Sequence, residues 1–302
     1  MRVTFLGTAA SRPTVNRNVS SVVVQREGEL LMFDCGEGTQ RQMMRFGTGF
    51  SVDDVFFSHL HADHFLGIIG LLRTMGLQGR ESAIRLWVPE GSQAIMDASV
   101  NLGIDRVAFP VELNGLSPGQ SIDRGEYEIL PYASHHGGRS LGYAIREKTR
   151  LGRFNPDRAR ELGIPEGPMW GKLHRGEPVE VHGTTVEAAD VVGHPRPGRK
   201  LVYTGDTRPC DETVSIAEAA DLLIHESTFA QDEVDRARQT GHSTAREAAR
   251  VAKQAAAARL VLTHFSPRYA DDSRRLEREA RKVFPSTTAA YDGLSIEIPY
   301  PA

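Results

Sequence analysis

Cysteine is nearly missing from this sequence: Cys35 and Cys210 are the only two in 302 residues. That excludes a disulfide framework and a four-cysteine zinc site, and the pattern around the two thiols gives the expectation of small, reduced, partly buried residues, with neither singled out as a ligand. Long apolar runs are missing as well. The longest, Phe65 to Leu77, is interrupted by Arg73 and is too short to cross a bilayer. The chain begins on a strand-like Val3-Thr4-Phe5-Leu6 and not on a charged-then-apolar leader, so a cytoplasmic enzyme without a membrane segment is expected. There is no basic excess: a net charge of −3 argues against a protein that is basic over its whole surface for nucleic acid. No fixed-period repeat and no low-complexity tail breaks the chain. With 40% hydrophobic and 25% charged residues, the composition is that of one elaborated globular domain, 1–302, with a large core.

What is present is concentrated. Ser58-His59-Leu60-His61-Ala62-Asp63-His64 brings three imidazoles and a carboxylate into six residues, directly after the strand-like apolar run Val55-Phe56-Phe57. Imidazole nitrogen and carboxylate oxygen are ligands that Zn²⁺ takes readily, and four such groups can be divided between two close ions. A helix is expected over Phe65 to Leu72, which places these ligands on a strand-to-helix turn, where open α/β sheets carry their chemistry. Solvated surface histidines are the bland alternative, but four polar groups wedged between two apolar elements without a partner would be costly.

The first third of the chain reads as strands and hairpins, Val3 to Leu6, Ser21 to Gln25 and Leu30 to Phe33, followed by Arg85 to Val88 and a helical pattern over Glu90 to Leu102. Later, one arrangement recurs: an apolar run stops at an ionisable residue. Leu201 to Gly205 ends at Asp206, Leu222 to Ile224 at His225-Glu226, and Leu260 to Thr263 at His264. Strand ends that point the same way converge on one rim, so residues some 200 apart can share a site. The pair His135-His136 follows another strand, Tyr127 to Ala133, and neighbours in an extended segment face opposite sides, so only one of the two should reach that rim. Ser243 or Thr244 can cap an Ala-rich helix reaching Ala258, and Asp271 or Asp272 a helix through Leu276, Ala280 and Phe284. Residues 146 to 175 carry eight Lys or Arg against four acids, a local +4 within a chain of net −3, so a polyanion should be drawn to one place.

The ordered set His59-x-His61-x-Asp63-His64, His136, Asp206 and His264 resembles the metallo-β-lactamase fold superfamily, over essentially the whole chain. Within it the sequence resembles the ribonuclease Z family of endonucleases that mature tRNA 3′ ends. Phe33-Asp34-Cys35-Gly36-Glu37-Gly38-Thr39-Gln40 is similar to that family's first motif, and His225-Glu226-Ser227-Thr228-Phe229 to its His-Glu-Ala-Thr-Phe motif, with Ser227 as the departure. Gly241-His242-Ser243-Thr244 matches the next, and Gly163 to Leu173, with Gly167-Pro168, resembles the family's RNA-binding arm. The metal motif alone also occurs in hydrolases of thioesters, lactones and β-lactams; the arm is the more discriminating match.

The resemblance implies an α/β fold, the four-layer αββα sandwich, with a protruding arm over 148–178. It implies two Zn²⁺ per subunit: His59, His61 and His136 on one, Asp63, His64 and His264 on the other, and Asp206 bridging. The family pattern, a ligand four residues before Ser140 and its Leu141-Gly142-Tyr143, selects His136 over His135. Asp63 would also orient or deprotonate the nucleophile, His242 would protonate the leaving 3′ oxygen, and Glu226 would hold that imidazole's tautomer. Arg17, Arg153, Gly167, Pro168, Lys172 and Arg175 are the implied substrate contacts, with precursor tRNA as partner and a homodimer as the assembly. His225 has no assigned role, and His174, His182 and His194 are expected on the surface or arm. The expected activity is removal of the 3′ trailer after the discriminator nucleotide, leaving a tRNA 3′ hydroxyl. The alternatives are a metal-dependent hydrolase of small phosphodiesters with this fold, or a non-catalytic RNA-binding protein, which would require a damaged metal site where every ligand position is filled.

Overall fold

Alternation along the strands determines the layers. The structure, a computed structural model, describes residues 1–270 and 272–301. Strands β1 (Arg2–Gly7), β2 (Ser21–Arg26), β3 (Glu29–Phe33), β4 (Asp54–Phe56), β5 (Ile84–Pro89) and β6 (Val111–Leu116) lie side by side in that order. Strands β7 (Ile122–Asp123), β8 (Tyr127–Ala133) and β9 (Leu141–Glu147) begin a second sheet, completed by β12 (Lys200–Tyr203), β13 (Leu222–Glu226), β14 (Leu260–Thr263) and β15 (Thr287–Ala289). Between β9 and β12 the pair β10 (Val179–Val181) and β11 (Thr184–Val186) forms a separate hairpin, and β16 (Ser295–Glu297) returns to the edge of the first sheet beside β1.

In the first sheet Val22, Val24, Leu31, Phe33 and Phe56 face inward, while Val23, Leu30, Met32 and Val55 face outward. The second sheet answers with Tyr143, Ile145, Leu201, Tyr203, Leu222 and Ile224 inward and Ala144, Val202 and Leu223 outward. Both faces of both sheets are therefore apolar, and each outer face needs a helical cover. Helices α1 (Thr39–Phe46), α2 (Ala62–Phe65), α3 (Gly67–Leu77) and α4 (Gln93–Val100) accompany the first sheet, with Met43, Ile68, Leu71, Leu72 and Met96 in its outer core. The insertion after β9 holds α5 (Pro156–Glu161) and α6 (Pro168–His174). Helices α7 (Asp211–Ile216), α8 (Val234–Thr240), α9 (Ala245–Gln254) and α10 (Arg274–Arg281) follow, and the alanines of α9 with Leu276 and Ala280 of α10 cover the second sheet. The result is the expected αββα arrangement. Phe33, Phe56, Tyr143 and Tyr203 meet at its centre with ring centroids 5.3 to 5.8 Å apart, and each buried ring stabilises the inter-sheet layer by roughly 1.5–3 kcal/mol.

Several boundaries differ from the sequence reading, each for a local reason. The helix expected over Phe65 to Leu72 is two helices divided at Leu66, next to Gly67, which is pressed so close to Gly36 that an added Cβ would stand 1.9 Å from a carbonyl oxygen. The helix expected over Glu90 to Leu102 is shorter, since Gly91, at φ +80°, forms a turn ahead of it. Thr244 caps α9 through a reciprocal pair with Glu247, whereas Ser243 donates to the Thr207 carbonyl. Asp272 does not cap α10: Ser273 occupies that position with its hydroxyl taken by Arg17, and Asp271 lies outside the described residues.

The insertion is longer than the expected 148–178. It runs from 148 to 199, since β12, antiparallel to β9, begins only at Lys200. It has its own small core of Ala159, Ile164, Leu173, Val179, Val181, Val186 and Val191. The second half carries no periodic signal in the sequence, because β10 and β11 are three residues each. At its root Glu147 accepts from Arg26 at 2.8 Å and from Arg199 at 2.6 and 2.8 Å, all three buried. The guanidinium carbons of Arg150 and Arg199 lie 3.6 and 3.7 Å from the centre of the Tyr300 ring.

Candidate metal centre

One rim of the sandwich collects the ionisable strand ends. His59 and His61 come from the turn after β4, Asp63 and His64 from α2, and His136 from the turn between β8 and β9. Asp206 follows β12, Glu226 ends β13 and His264 follows β14. Two of these connections are tight. Gly205, at φ +57°, lies where an added Cβ would stand 2.5 Å from Ser58, and His264 itself adopts φ 58°, an uncommon conformation that clusters at functional sites.

The donors form two lobes. His59, His61, His136 and Asp206 make one and Asp63, His64 and His264 the other, with ligand atoms in each within 4.8 Å of one another. Asp206 joins them: its carboxylate oxygens are 3.3 Å from His64 Nε2, 3.3 Å from His264 Nε2, 3.7 Å from His59 Nε2 and 3.8 Å from His136 Nε2. His64 and His264 Nε2 are 3.2 Å apart, as are His136 Nε2 and His61 Nδ1. Two ligands about 2.05 Å from one zinc at a tetrahedral angle would be about 3.3 Å apart, so these spacings suit a shared ion. His59 Nε2 and Asp206 Oδ1 are buried without a hydrogen-bond partner among the described residues, an arrangement that is costly unless a cation satisfies them.

The far sides of the rings are fixed. His64 Nδ1 donates to Asp34 Oδ2 at 2.8 Å and His136 Nδ1 to the Gly241 carbonyl at 2.9 Å. Ser58 Oγ donates to Asp34 and so accepts from His59 Nδ1; Thr228 Oγ1 donates to Glu226 and so accepts from His264 Nδ1. Four imidazoles thus present Nε2 inward with the tautomer set from behind. Asp34 also accepts from the Ser58 amide and from the Tyr203 hydroxyl, at 2.7 and 2.6 Å, so one carboxylate links both sheets behind the centre.

Burial and the facing charges shift these groups in opposite directions. Burial, helped by His64, holds His59 well below the ordinary histidine range, and His61 is lowered by burial and His136, leaving both as neutral ligands. Burial works against ionisation of Asp206, yet the facing imidazoles, His264 foremost, keep its carboxyl well below the usual range. His64 is raised despite burial, because Asp206, Asp34 and Asp63 surround it with negative charge.

Beside the lobes, His242 Nδ1 donates to Glu226 Oε1 at 2.8 Å. The other contacts of Glu226 are all donors: the Thr207 amide to Oε1, and the Thr228 amide and hydroxyl to Oε2. Burial opposes protonation of His242, but Glu226 and Asp206 raise it to about 9.

The sequence-derived residues His59, His61, Asp63, His64, His136, Asp206, Glu226, His242 and His264 are brought together here. His135 points away, half exposed and 3.3 Å from Glu212. Arg17 is not at the surface. Its guanidinium is buried over Phe265 and donates to Thr8 Oγ1, the Ala290 carbonyl and Ser273 Oγ, so its role here is to tie the loop after β1 to the C-terminal elements, and the expected contact with an RNA end is corrected. Arg153, Gly167, Pro168, Lys172 and Arg175 are all exposed on the insertion and none belongs to the groups of donors at the rim. Sequence reasoning missed the roles of Asp34, Ser58, Tyr203 and Thr228, although Asp34 stands at a strand end like the ligands do. Buried His225 gives Nδ1 to the Glu226 carbonyl and has no partner at Nε2 among the described residues.

Two helix-faced sheets with a carboxylate-joined, two-lobed N/O site on one rim define a protein of the metallo-β-lactamase fold, a fold that binds divalent metal. Residues 167–265 match the family described as beta-lactamase superfamily domain, and residues 1–108 the one described as anti-Pycsar protein Apyc1. Ribonuclease Z of Gemmatimonas aurantiaca is 60% identical over 98% of this chain and 95% of its own length, and that of Myxococcus xanthus is 52% identical over 99% and 98%. The crystal structure of human tRNase Z, short form, superposes with a TM-score of 0.73 at 30% identity, covering 99% of this chain and all of that one. The chain belongs to the ribonuclease Z family. Among the described residues no helix is long and apolar enough to cross a membrane.

Proposed function

We propose that this protein is an endoribonuclease that removes the 3′ trailer of precursor tRNA, hydrolysing the phosphodiester after the discriminator nucleotide and leaving a 3′ hydroxyl on the tRNA. The observation that carries this reading is the pair of donor lobes joined at Asp206 with the His242–Glu226 pair beside them, in a chain of the ribonuclease Z family. Two Zn²⁺ per subunit suit the all-nitrogen-and-oxygen donors: His59, His61 and His136 for one, Asp63, His64 and His264 for the other, Asp206 shared. When bound, such a pair lowers the pKa of a water and offsets charge developing on the phosphoryl oxygens.

The protein's own groups divide the remaining work. Asp63, whose Oδ2 accepts from the Ser11 amide at 2.6 Å, fixes or takes the proton of the attacking water. His242, held by Glu226 through Nδ1 in a contact that favours its protonated form, keeps Nε2 for the departing 3′ oxygen. The insertion supplies Arg153, Lys172 and Arg175 for phosphates of a folded RNA read by shape, with exposed Gly167 and Pro168 at the start of α6 allowing close backbone approach.

Placement favours action across a homodimer. The insertion leaves from the end of β9 remote from His136, and a seven-residue strand spans about 20 Å. Large apolar side chains Leu77, Ile95, Leu102 and Ile104 are exposed on α3, α4 and the segment after it, which Arg73 ties together through the carbonyls of Val100, Leu102 and Asp105. They offer a second copy a surface to cover. Two free cysteines accord with a reducing cytoplasm. The test is cleavage of precursor tRNA by the purified protein with both ends mapped, with and without a chelator, alongside metal analysis. Hydrolysis of bis-p-nitrophenyl phosphate without salt-dependent binding or cutting of precursor tRNA would overturn the reading.

A further inference from the structure

The turn between β8 and β9 carries two adjacent imidazoles, and only one belongs to the buried centre. His135 faces outward, and with Cys210 and Glu212 it forms a second group whose donor atoms all lie within 4.8 Å of one another. His135 Nε2 is 3.3 Å from Glu212 Oε2, and Cys210 Sγ is 3.1 Å from Thr213 Oγ1. The two segments involved are already fastened together: the Arg208 amide donates to the His135 carbonyl at 3.0 Å, and the His135 amide to Thr207 Oγ1 at 2.9 Å. The backbones are therefore preset, while the side chains of His135 and Glu212, 52% and 49% exposed, are free to rotate through the last ångström.

One sulfur, one nitrogen and one oxygen donor make a selective set. Magnesium and calcium take oxygen, copper(I) prefers sulfur, and zinc accepts all three kinds in a tetrahedron that leaves a fourth position for water. We propose that His135, Cys210 and Glu212 bind a third divalent cation of the zinc type at the protein surface, separate from the buried pair. Binding releases the Cys210 thiol proton to solvent and takes His135 neutral and Glu212 ionised. Since His135 is one peptide bond from His136, an ion here ties the turn that carries a ligand of the buried centre to the start of α7.

Cobalt(II) titration of the full chain tests this directly. The buried centre offers only nitrogen and oxygen, and Cys35 is wholly enclosed in the core, so a thiolate-to-cobalt charge-transfer band in the near ultraviolet reports Cys210 alone. The expected result is d–d absorption during the first two equivalents, then the charge-transfer band with a third. Cys210→Ser should lose the band and one bound equivalent while keeping the first two. Glu212→Gln should keep the band but weaken the third equivalent at least about tenfold, the lower end of what loss of a metal's supporting groups costs. Equal stoichiometry in wild type and Cys210→Ser, with no charge-transfer band in either, would show the trio to be a surface ion pair beside a free thiol. Because the band depends on sulfur, it reads out even if the buried centre binds fewer than two ions.

Discussion

Replacing Glu226 by Gln preserves size and removes one charge, and the contacts of this residue allow the effect to be worked out. Both carboxylate oxygens face donors only: Oε1 meets the Thr207 amide and His242 Nδ1, and Oε2 meets the Thr228 amide and hydroxyl. A Gln side chain must turn its NH₂ toward one backbone N–H in either orientation, so it cannot satisfy this pocket. With the amide oxygen toward His242, a bond between two charged groups becomes one to a neutral acceptor, a loss of about 1–1.5 kcal/mol in holding the imidazolium. At about 1.36 kcal/mol per tenfold, that predicts a kcat on precursor tRNA lower by about 5- to 13-fold. His242→Ala, which removes the proton donor altogether, should cost more, about 10²–10⁴-fold. The double variant should fall short of the product of the two single losses, since Glu226 acts partly through His242 and partly through Thr228 behind His264. The assay adds a discriminating substrate. p-Nitrophenolate leaves without a proton, so bis-p-nitrophenyl phosphate hydrolysis should change little in either variant. An equal fall on both substrates, or a loss of bound metal in Glu226→Gln, would refute the assignment and make this pair a structural or ligating element.

Other outcomes follow from the same geometry. Asp63→Ala should lower turnover at least about 10²-fold while binding of precursor tRNA, measured by gel shift, is kept, because it removes a ligand and nucleophile orienter remote from the insertion. Replacing Thr149 to Gly198 by a short Gly-Ser turn should abolish tRNA cleavage but spare small phosphodiesters, since Arg146 and Lys200 are already paired partners on β9 and β12; equal loss of both activities would mean that the insertion is structural. Mixing that variant with Asp63→Ala subunits should restore tRNA cleavage if the insertion of one subunit serves the site of another, and failure to restore it would refute action in trans. Burial opposes ionisation of Glu147, but its bonds from Arg199 and Arg26 bring it from the ordinary 4.5 to about 2. Its contribution is therefore complete above the ordinary value and lost as pH falls toward the lower one. Glu147→Gln should cost on the order of 3 kcal/mol near neutrality, and that deficit, followed by thermal or urea unfolding, should shrink between pH 5 and 2; a constant deficit would contradict the ion-pair account.

The centre was legible in the sequence because it is built from strand ends. An apolar run that stops at Asp206, Glu226 or His264 is visible without coordinates, and the dense turn at His59 to His64 names its own chemistry. The supports behind the ligands were less visible, since Ser58 and Tyr203, 24 and 169 residues from Asp34 in sequence, become meaningful only when they close on its carboxylate, and Thr228 only when it meets His264, 36 residues on. Arg17 misled for a related reason: a guanidinium in a polar loop reads as surface, and only the fold reveals the oxygens of Thr8, Ala290 and Ser273 that enclose it. The later half of the insertion escaped because three-residue strands leave no rhythm to detect.

The strand pair that roots the insertion also sets a minimum gauge. His136 precedes β9 and Asp206 follows β12, while the protruding segment springs from their opposite tips. A ligand held by the insertion of one subunit reaches that subunit's own rim only if its body spans the length of β9, about 20 Å, and otherwise meets the rim of another copy.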